Sequence, residues 1–368
     1  MTDPARPFSP QTVTVFGGSG FLGRYVVNAL AKRNYRVRIA VRRPHVAGPD
    51  KNFGAVGQVH AVQANLRYPE SVAHAVRGAG AVVNLVGILQ PRRAQTFEAV
   101  HTEGARTVAE AAAAAGARVI HVSAIGADLA SQSVYARSKA EGEIAVRRAQ
   151  ADAIVLRPSL MFGPGDSFFN RFAALSRMLP VLPLAGADTR FQPVFVGDVA
   201  AAIARAVDGT VPAGRTYELG GPEIRTLREL VEYMLRVIER RRLIVALAPT
   251  LARAQATVME VLDFLMLGLL PDNFKLTRDQ VTLLQRDNVV SEAALRDGRT
   301  LQGIGIAPTA FEAVVPSYLV RFRRRGQFDV DRGVESAAPD VIAPESAGAG
   351  SQFQPRRGAG PAIGESPR

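Results

Sequence analysis

The chain has 368 residues, with 45 lysines and arginines against 33 aspartates and glutamates, a net charge of +12. At 47% hydrophobic it has apolar material for one large or two modest cores, which excludes a wholly disordered chain. Cysteine is absent, so disulfides, thiolate nucleophiles and zinc–cysteine centres are excluded together.

From residue 12 to residue 220, short β-branched runs alternate with alanine-rich stretches. Strands are predicted at Thr12–Phe16, Tyr35–Val41, Gln58–Val62, Ala81–Val86, Arg118–Ser123 and Ala153–Leu156. Helices are predicted at Phe21–Arg33, Pro69–Val76, Phe97–Ala115 and Tyr135–Gln150. Near-continuously apolar strands suit a sheet covered on both faces, and strand–helix alternation predicts an α/β fold with a doubly wound parallel sheet spanning residues 11–220. Prolines and glycines in 158–195 predict loop insertions. Residues 226–242 read as an amphipathic helix, followed by apolar helical stretches at Leu243–Leu251 and Val258–Leu270. Residues 221–330 are thus expected to form a small, mostly helical cap for partner or membrane-surface contact. The tail, 331–368, is rich in glycine, proline, alanine and serine and is expected to be disordered.

No run is long and apolar enough to span a bilayer, and Met1–Pro10 lacks the apolar core of a secretion signal. His45, His60, His74, His101 and His121 show no metal-ligand spacing, so no metal is expected. Arginines bunch at 33–43, at Arg236 and Arg240–Arg242, and at Arg321–Arg325. With only 7% aromatic residues, a nucleic-acid groove is not expected. Such patches suit anionic ligands, acidic proteins or lipid headgroups, or simply form a solvated basic surface.

The chemistry begins at Gly17-Gly18-Ser19-Gly20-Phe21-Leu22-Gly23, after the first strand and opening the first helix. Glycines there permit a tight turn and close approach of the backbone to a pyrophosphate, and the helix N-terminus offers free N–H groups to the anion. The plainer reading is a turn that packs helix on strand. An acid at the end of the second strand would favour NAD; Arg42 and Arg43 stand there instead, suited to a 2′-phosphate, so NADP(H) is favoured over NAD(H). Asn65 and Leu66 after the third strand, and Asn84-Leu85-Val86-Gly87 at the end of the fourth, are expected to line the nucleotide or to be ordinary strand-end loops.

Ser123 ends the fifth strand, and Tyr135 and Lys139 share one face of the next helix. A lysine ammonium beside a phenol favours phenolate, which would lower the Tyr135 pKa and make it an acid/base for hydride transfer at a carbonyl; the serine would polarise the oxygen.

Together these residues resemble the short-chain dehydrogenase/reductase superfamily, in its extended or atypical branch, over residues 12–220. Within it, Phe16–Gly23, Val83–Gly87, His121–Ser123, Tyr135–Glu143, Arg157–Ser159, Phe162–Gly163 and Gln192–Val199 resemble the NAD(P)H-binding accessory subunit of respiratory complex I and its bacterial relatives. Leu269–Val281 and Asp287–Val290 extend that resemblance to about residue 325. It implies a Rossmann sheet, bound NADPH in a structural or regulatory role, and complex I subunits as partners. It further implies Pro158 beside the nucleotide and a peripheral location on the cytoplasmic side of a bacterial inner membrane. One departure is Ala124-Ile125-Gly126 after Ser123, without the further hydroxyls of members that turn over substrate; Ser131 or Ser133 would then be the substitute. The competing expectation is a free NADP-dependent reductase, epimerase or dehydratase using Ser123, Tyr135 and Lys139.

Overall fold

Seven parallel strands form the central sheet of the computed structural model, which describes residues 11–46, 53–91, 94–248, 250, 257 and 277–323. They are β1 Thr12–Phe16, β2 Arg36–Val41, β3 Val59–Gln63, β4 Ala81–Asn84, β5 Arg118–Val122, β6 Ile154–Pro158 and a seventh strand, Thr216–Leu219. Their spatial order is β3-β2-β1-β4-β5-β6-(Thr216–Leu219). Chain order reverses between β1 and β4, which opens a crevice beyond the carboxyl ends of those strands.

Alternate residues of each strand feed opposite cores. Val13, Val15, Ile39, Val83 and Ile120 face α1 (Phe21–Ala31) and the helix Val196–Asp208. Phe16, Val82 and Val119 face α2 (Pro69–Val76) and α3 (Glu103–Ala114) on the other side. Thr14 joins the second face at low cost because its hydroxyl donates to the Ala75 carbonyl at 2.9 Å. The expected doubly wound sheet is therefore present.

Three local readings change. Thr216–Leu219 is a seventh strand that pairs with β6; its Glu218 spoils an apolar pattern, yet is buried because Ser291 N–H donates to it at 2.7 Å and Arg157 lies 3.7 Å away. Predicted helix Phe97–Ala115 opens with a π-helical turn, Glu98–Thr102, before α3. Leu243–Leu247 is not helical. It forms a strand parallel to Val181–Ala185, where short β-branched sequence meets an available partner edge.

The predicted amphipathic helix is present as Leu227–Val237, started by a capping box between Thr226 and Glu229. Its Leu230, Val231 and Met234 pack with Phe162, Phe169, Leu182 and Phe311 in a third core beside the sheet. Residues 277–290 then lace this region to the sheet's carboxyl edge. Arg286 pairs with Asp128 at 2.9 Å, Asp287 with Arg190 at 2.7 Å, and Ser159 donates to Asn288 Oδ1 at 2.6 Å. The apolar stretch Val258–Leu270, Arg324 and Arg325, and the tail 331–368 lie outside the described residues.

Candidate functional site

The turn Gly17–Gly23 crosses from β1 into α1 at the sheet's carboxyl edge. Gly17 is left-handed, with φ of +78°, and a Cβ there would stand 3.2 Å from the Leu85 carbonyl carbon and 3.3 Å from Val86 N. At Gly23 a Cβ would fall 2.3 Å from the Gly17 carbonyl oxygen. Both positions therefore require glycine. Gly20 caps α1 without a side-chain hydrogen bond, and no acid occupies the first turn, so the helix start presents its N–H groups and positive dipole end to an incoming anion. Ser19 is exposed beside these N–H groups, whereas Leu22 is buried. A dinucleotide pyrophosphate fits this cradle.

Arg42 and Arg43 follow the last residue of β2 and are exposed. They stand on the same edge of the sheet as the cradle. After β3, Asn65 Oδ1 accepts the Arg67 N–H at 3.2 Å, which fixes the loop and leaves the carboxamide NH2 for a ligand. Leu66 instead packs toward Gly104, where a Cβ would meet it at 2.8 Å, and so serves the core. After β4, Asn84 Oδ1 accepts the Val86 N–H at 3.1 Å, which ends the strand two residues before its predicted limit. Gly87 then passes so close to Lys139 that a Cβ would lie 3.2 Å from Nζ. The turn after β1 thus packs against the loop after β4, which in turn packs against the buried lysine.

Helix α4, Val134–Ala149, carries Tyr135 and Lys139. Lys139 is 5% exposed and its Nζ donates to the Val122 carbonyl at 3.3 Å. Burial pushes its pKa down to about 8. The expected lowering of Tyr135 by Lys139 does not occur. Burial, then the Asp279 carboxylate, pushes the phenol up to about 12, so it stays protonated and is a hydrogen-bond donor at neutral pH.

Ser123 is 4% exposed and its Oγ has no hydrogen-bond partner among the described residues. Of the two substitutes, Ser133 is committed: its Oγ accepts the Ala136 N–H at 3.2 Å as the α4 cap and donates to Asp279 Oδ2 at 2.9 Å. Ser131 Oγ accepts the Ser133 N–H at 3.2 Å.

Ser123, Ser131, Tyr135 and Pro158 all line one cavity of about 740 Å³ that reaches Phe21 of the nucleotide turn. Phe168, Phe172, Phe191 and residues 282–288 supply much of its wall.

Two histidines to which the sequence reading gave no role flank the lysine. His101, in the π-helical turn, stacks on Phe97 with ring centroids 5.5 Å apart and meets Tyr135 edge-on at 5.4 Å. Its Nε2 accepts the Ile88 N–H at 3.0 Å, which leaves the proton on Nδ1, 2.9 Å from Ser138 Oγ. His121 Nδ1 lies 3.3 Å from Asn84 Nδ2, and its Nε2 has no partner among the described residues. Burial first, then the charge of Lys139, pushes each imidazole down to about 3. Both are therefore neutral, and with no third ligand-type side chain grouped with them no metal cluster exists among the described residues.

Residues 13–220 match the NAD dependent epimerase/dehydratase family. The chain is 34% identical over 318 residues to the NADH dehydrogenase [ubiquinone] 1 alpha subcomplex subunit 9, mitochondrial, of Arabidopsis thaliana, covering 85% of this chain and 78% of the relative. It is 38% identical over 216 residues to the ceramide reductase of Caulobacter vibrioides, covering 59% of this chain and 65% of that protein. In structure it resembles the NADPH-dependent quinone oxidoreductase of Escherichia coli solved with NADPH, with a TM-score of 0.64 at 20% identity, over 83% of this chain and 99% of that one.

Proposed function

Because the chain belongs to the NAD dependent epimerase/dehydratase family, we propose that it holds NADP(H) and serves as a peripheral accessory subunit of a respiratory NADH:quinone oxidoreductase. The observation that carries the nucleotide half is the cradle of Gly17, Gly20 and Gly23, where an added Cβ at Gly23 would fall 2.3 Å from backbone. In this reading the amides of Gly18, Ser19 and the first turn of α1 take the pyrophosphate. Arg42 and Arg43 take the 2′-phosphate, Asn65 meets the adenine, and Val86, Gly87, Tyr135, Lys139 and Pro158 surround the nicotinamide-side ribose. A bound nicotinamide coenzyme would supply hydride; the chain supplies position, a protonated phenol at Tyr135 and a desolvated amine at Lys139.

The partner half is supported by similarity that runs past residue 220 to a complex I subunit, over 85% of this chain. The 277–290 segment that laces cap to sheet lies in that added length. No helix among the described residues is long and apolar enough to cross a membrane. A peripheral position on the cytoplasmic side of a bacterial inner membrane suits the exposed Met178, Val181, Leu243 and Val245 with Arg177 and Arg241 nearby.

Native mass spectrometry of the protein released from its own membranes in mild detergent tests both halves. Retained NADP(H) and co-purifying complex I subunits are expected; a free chain without either overturns the proposal. A second reading, a free NADP-dependent reductase, is favoured by the unpartnered Ser123 hydroxyl beside Tyr135. It predicts nucleotide turnover that Tyr135→Phe abolishes.

A further inference from the structure

At the end of helix α4 remote from Tyr135, three arginines meet around a groove of about 520 Å³ that shares no residue with the cavity beside the nucleotide turn. Arg147 comes from the last turn of α4, Arg215 and Thr216 from the start of the seventh strand, and Asp297 and Arg299 from the turn after the short helix Glu292–Arg296. Thr216 pairs with Val155, near the start of β6, so the groove lies at the amino edge of the sheet, opposite the glycine cradle. Its charge is poorly balanced from within. Arg147 donates to the Gly214 carbonyl at 3.1 Å and to the Thr216 hydroxyl, both neutral acceptors. Arg215 is exposed and forms no ion pair among the described residues. Arg299 has a carboxylate: its Nε and Nη2 lie 3.0 and 2.8 Å from Asp297 Oδ2, while Nη1 donates to the Thr216 carbonyl at 3.0 Å. Three guanidiniums thus face one carboxylate.

We propose that this groove docks an acidic, extended segment of a partner polypeptide, whose carboxylates pair with Arg147 and Arg215. A single exposed ion pair is weak, so a small free anion gains little here and binding requires several charges carried on one chain. The nearby helix end is the carboxyl end of α4, whose dipole disfavours an anion, so the arginines alone supply the attraction. Arg299 already grips the Asp297 carboxylate with two nitrogens, the same chemistry an incoming glutamate or aspartate would use. A nucleic acid fits worse, because no aromatic side chain lines the groove to stack on a base. Leu295, 57% exposed and two residues before Asp297, adds apolar surface that a polypeptide side chain can cover. The nucleotide does not use this face, so docking here stands whether or not the coenzyme binds.

The test is fluorescence anisotropy of a labelled deca-glutamate peptide titrated with the full chain at low and at high salt. Binding is expected at low salt and should weaken as salt rises. Arg215→Glu should weaken it roughly 2- to 30-fold, since a lost attraction is replaced by a repulsion of similar size. Arg215 is exposed, so its replacement should leave the urea midpoint unchanged. Arg36→Glu is the matched control: Arg36 is exposed at the start of β2, near the opposite edge of the sheet, and its reversal changes the net charge equally. Asp297→Asn should tighten binding up to about fivefold by releasing Arg299. Equal losses in Arg215→Glu and Arg36→Glu would mean that only the net charge of the chain is felt, and would overturn the docking site. Absence of binding to the unaltered protein would overturn it too. Oligouridylate of the same charge binding more tightly than the peptide, or inorganic phosphate displacing the peptide at equal charge concentration, would overturn the choice of a polypeptide.

Discussion

Asp279 accepts the backbone N–H of Tyr135 at 3.2 Å across 144 residues of chain. The same carboxylate accepts the Val134 N–H at 2.7 Å and the Ser133 hydroxyl at 2.9 Å, so a residue of the C-terminal region caps the helix that carries Tyr135 and Lys139. A negative charge at a helix N-terminus stabilises it, and here, after burial, it also helps raise the pKa of the neighbouring phenol. Asp279→Asn is expected to cost about 1–2 kcal/mol in urea unfolding. It should also make Tyr135 ionise at lower pH, read as tyrosinate absorbance against a Tyr135→Phe control. Unchanged ionisation would separate Asp279 from the tyrosine.

Gly23→Ala places a methyl carbon 2.3 Å from the Gly17 carbonyl oxygen and 2.5 Å from Gly18. The first turn of α1 must then move. A loss of stability of about 1–3 kcal/mol is expected. Misplacing two amides that face a charged phosphate should weaken nucleotide binding roughly 100-fold. Gly116→Ala is the control for stability alone: its φ is +66°, so it is strained, but no atom lies within 4 Å of the added carbon and it stands in a turn after α3.

The frame of this site was legible because backbone constraints write themselves into sequence. Gly17 and Gly23 stand where no side chain fits, and Tyr135 and Lys139 fall on one helical face at fixed spacing. Asp279 and Asn288 lie in stretches that carry the resemblance, but their part in building the site was not legible, because the partners of their side chains, Ser133 to Tyr135 and Ser159, lie more than a hundred positions away. His101 was visible only as an isolated histidine, and His121 only as part of the resembling stretch His121–Ser123. What makes them a pair is that one turn and one strand converge on Lys139, a fact of packing. Leu243–Leu247 was misread for a related reason: a short apolar run takes its conformation from whatever edge is free to pair with it.

Arg42→Ala combined with Arg43→Ala removes the cations at the end of β2 while leaving the cradle intact. NADPH affinity is expected to fall roughly 10- to 150-fold, the loss of charge-assisted bonds to the 2′-phosphate. NADH affinity should change little. Calorimetry with both coenzymes checks the difference; equal losses would move the 2′-phosphate elsewhere.

The histidine pair gives the fold an acid limit. Each imidazole is held near 3 against an ordinary 6.5, so the unfolded chain binds more protons than the folded one between those values. Their contribution is fully present above about pH 6.5 and is lost as the pH falls toward 3. His121→Asn should therefore narrow the stability gap between pH 7 and pH 4.5 relative to the unaltered protein, measured as urea midpoints. A gap of the same size would place the acid sensitivity in the carboxylates instead.

At the alkaline end Lys139 and Tyr135 act in opposite directions. Lys139 is held near 8 against 10.5, so between those values only the unfolded chain keeps the proton, and stability rises with pH across that window. The full gain is of order 3 kcal/mol. Tyr135 is held near 12 against 10.0, so above pH 10 the unfolded chain sheds a proton that the folded chain retains, and stability falls again. Unfolding free energy should thus climb from pH 8 and turn over near pH 10. Lys139→Met should remove the climb and keep the fall, whereas Tyr135→Phe should keep the climb and reduce the fall. Bound NADP(H) should flatten the rise in the unaltered protein, because ribose hydroxyls that accept from Lys139 Nζ favour its charged form. A climb that survives Lys139→Met would show that the amine is not the group that titrates.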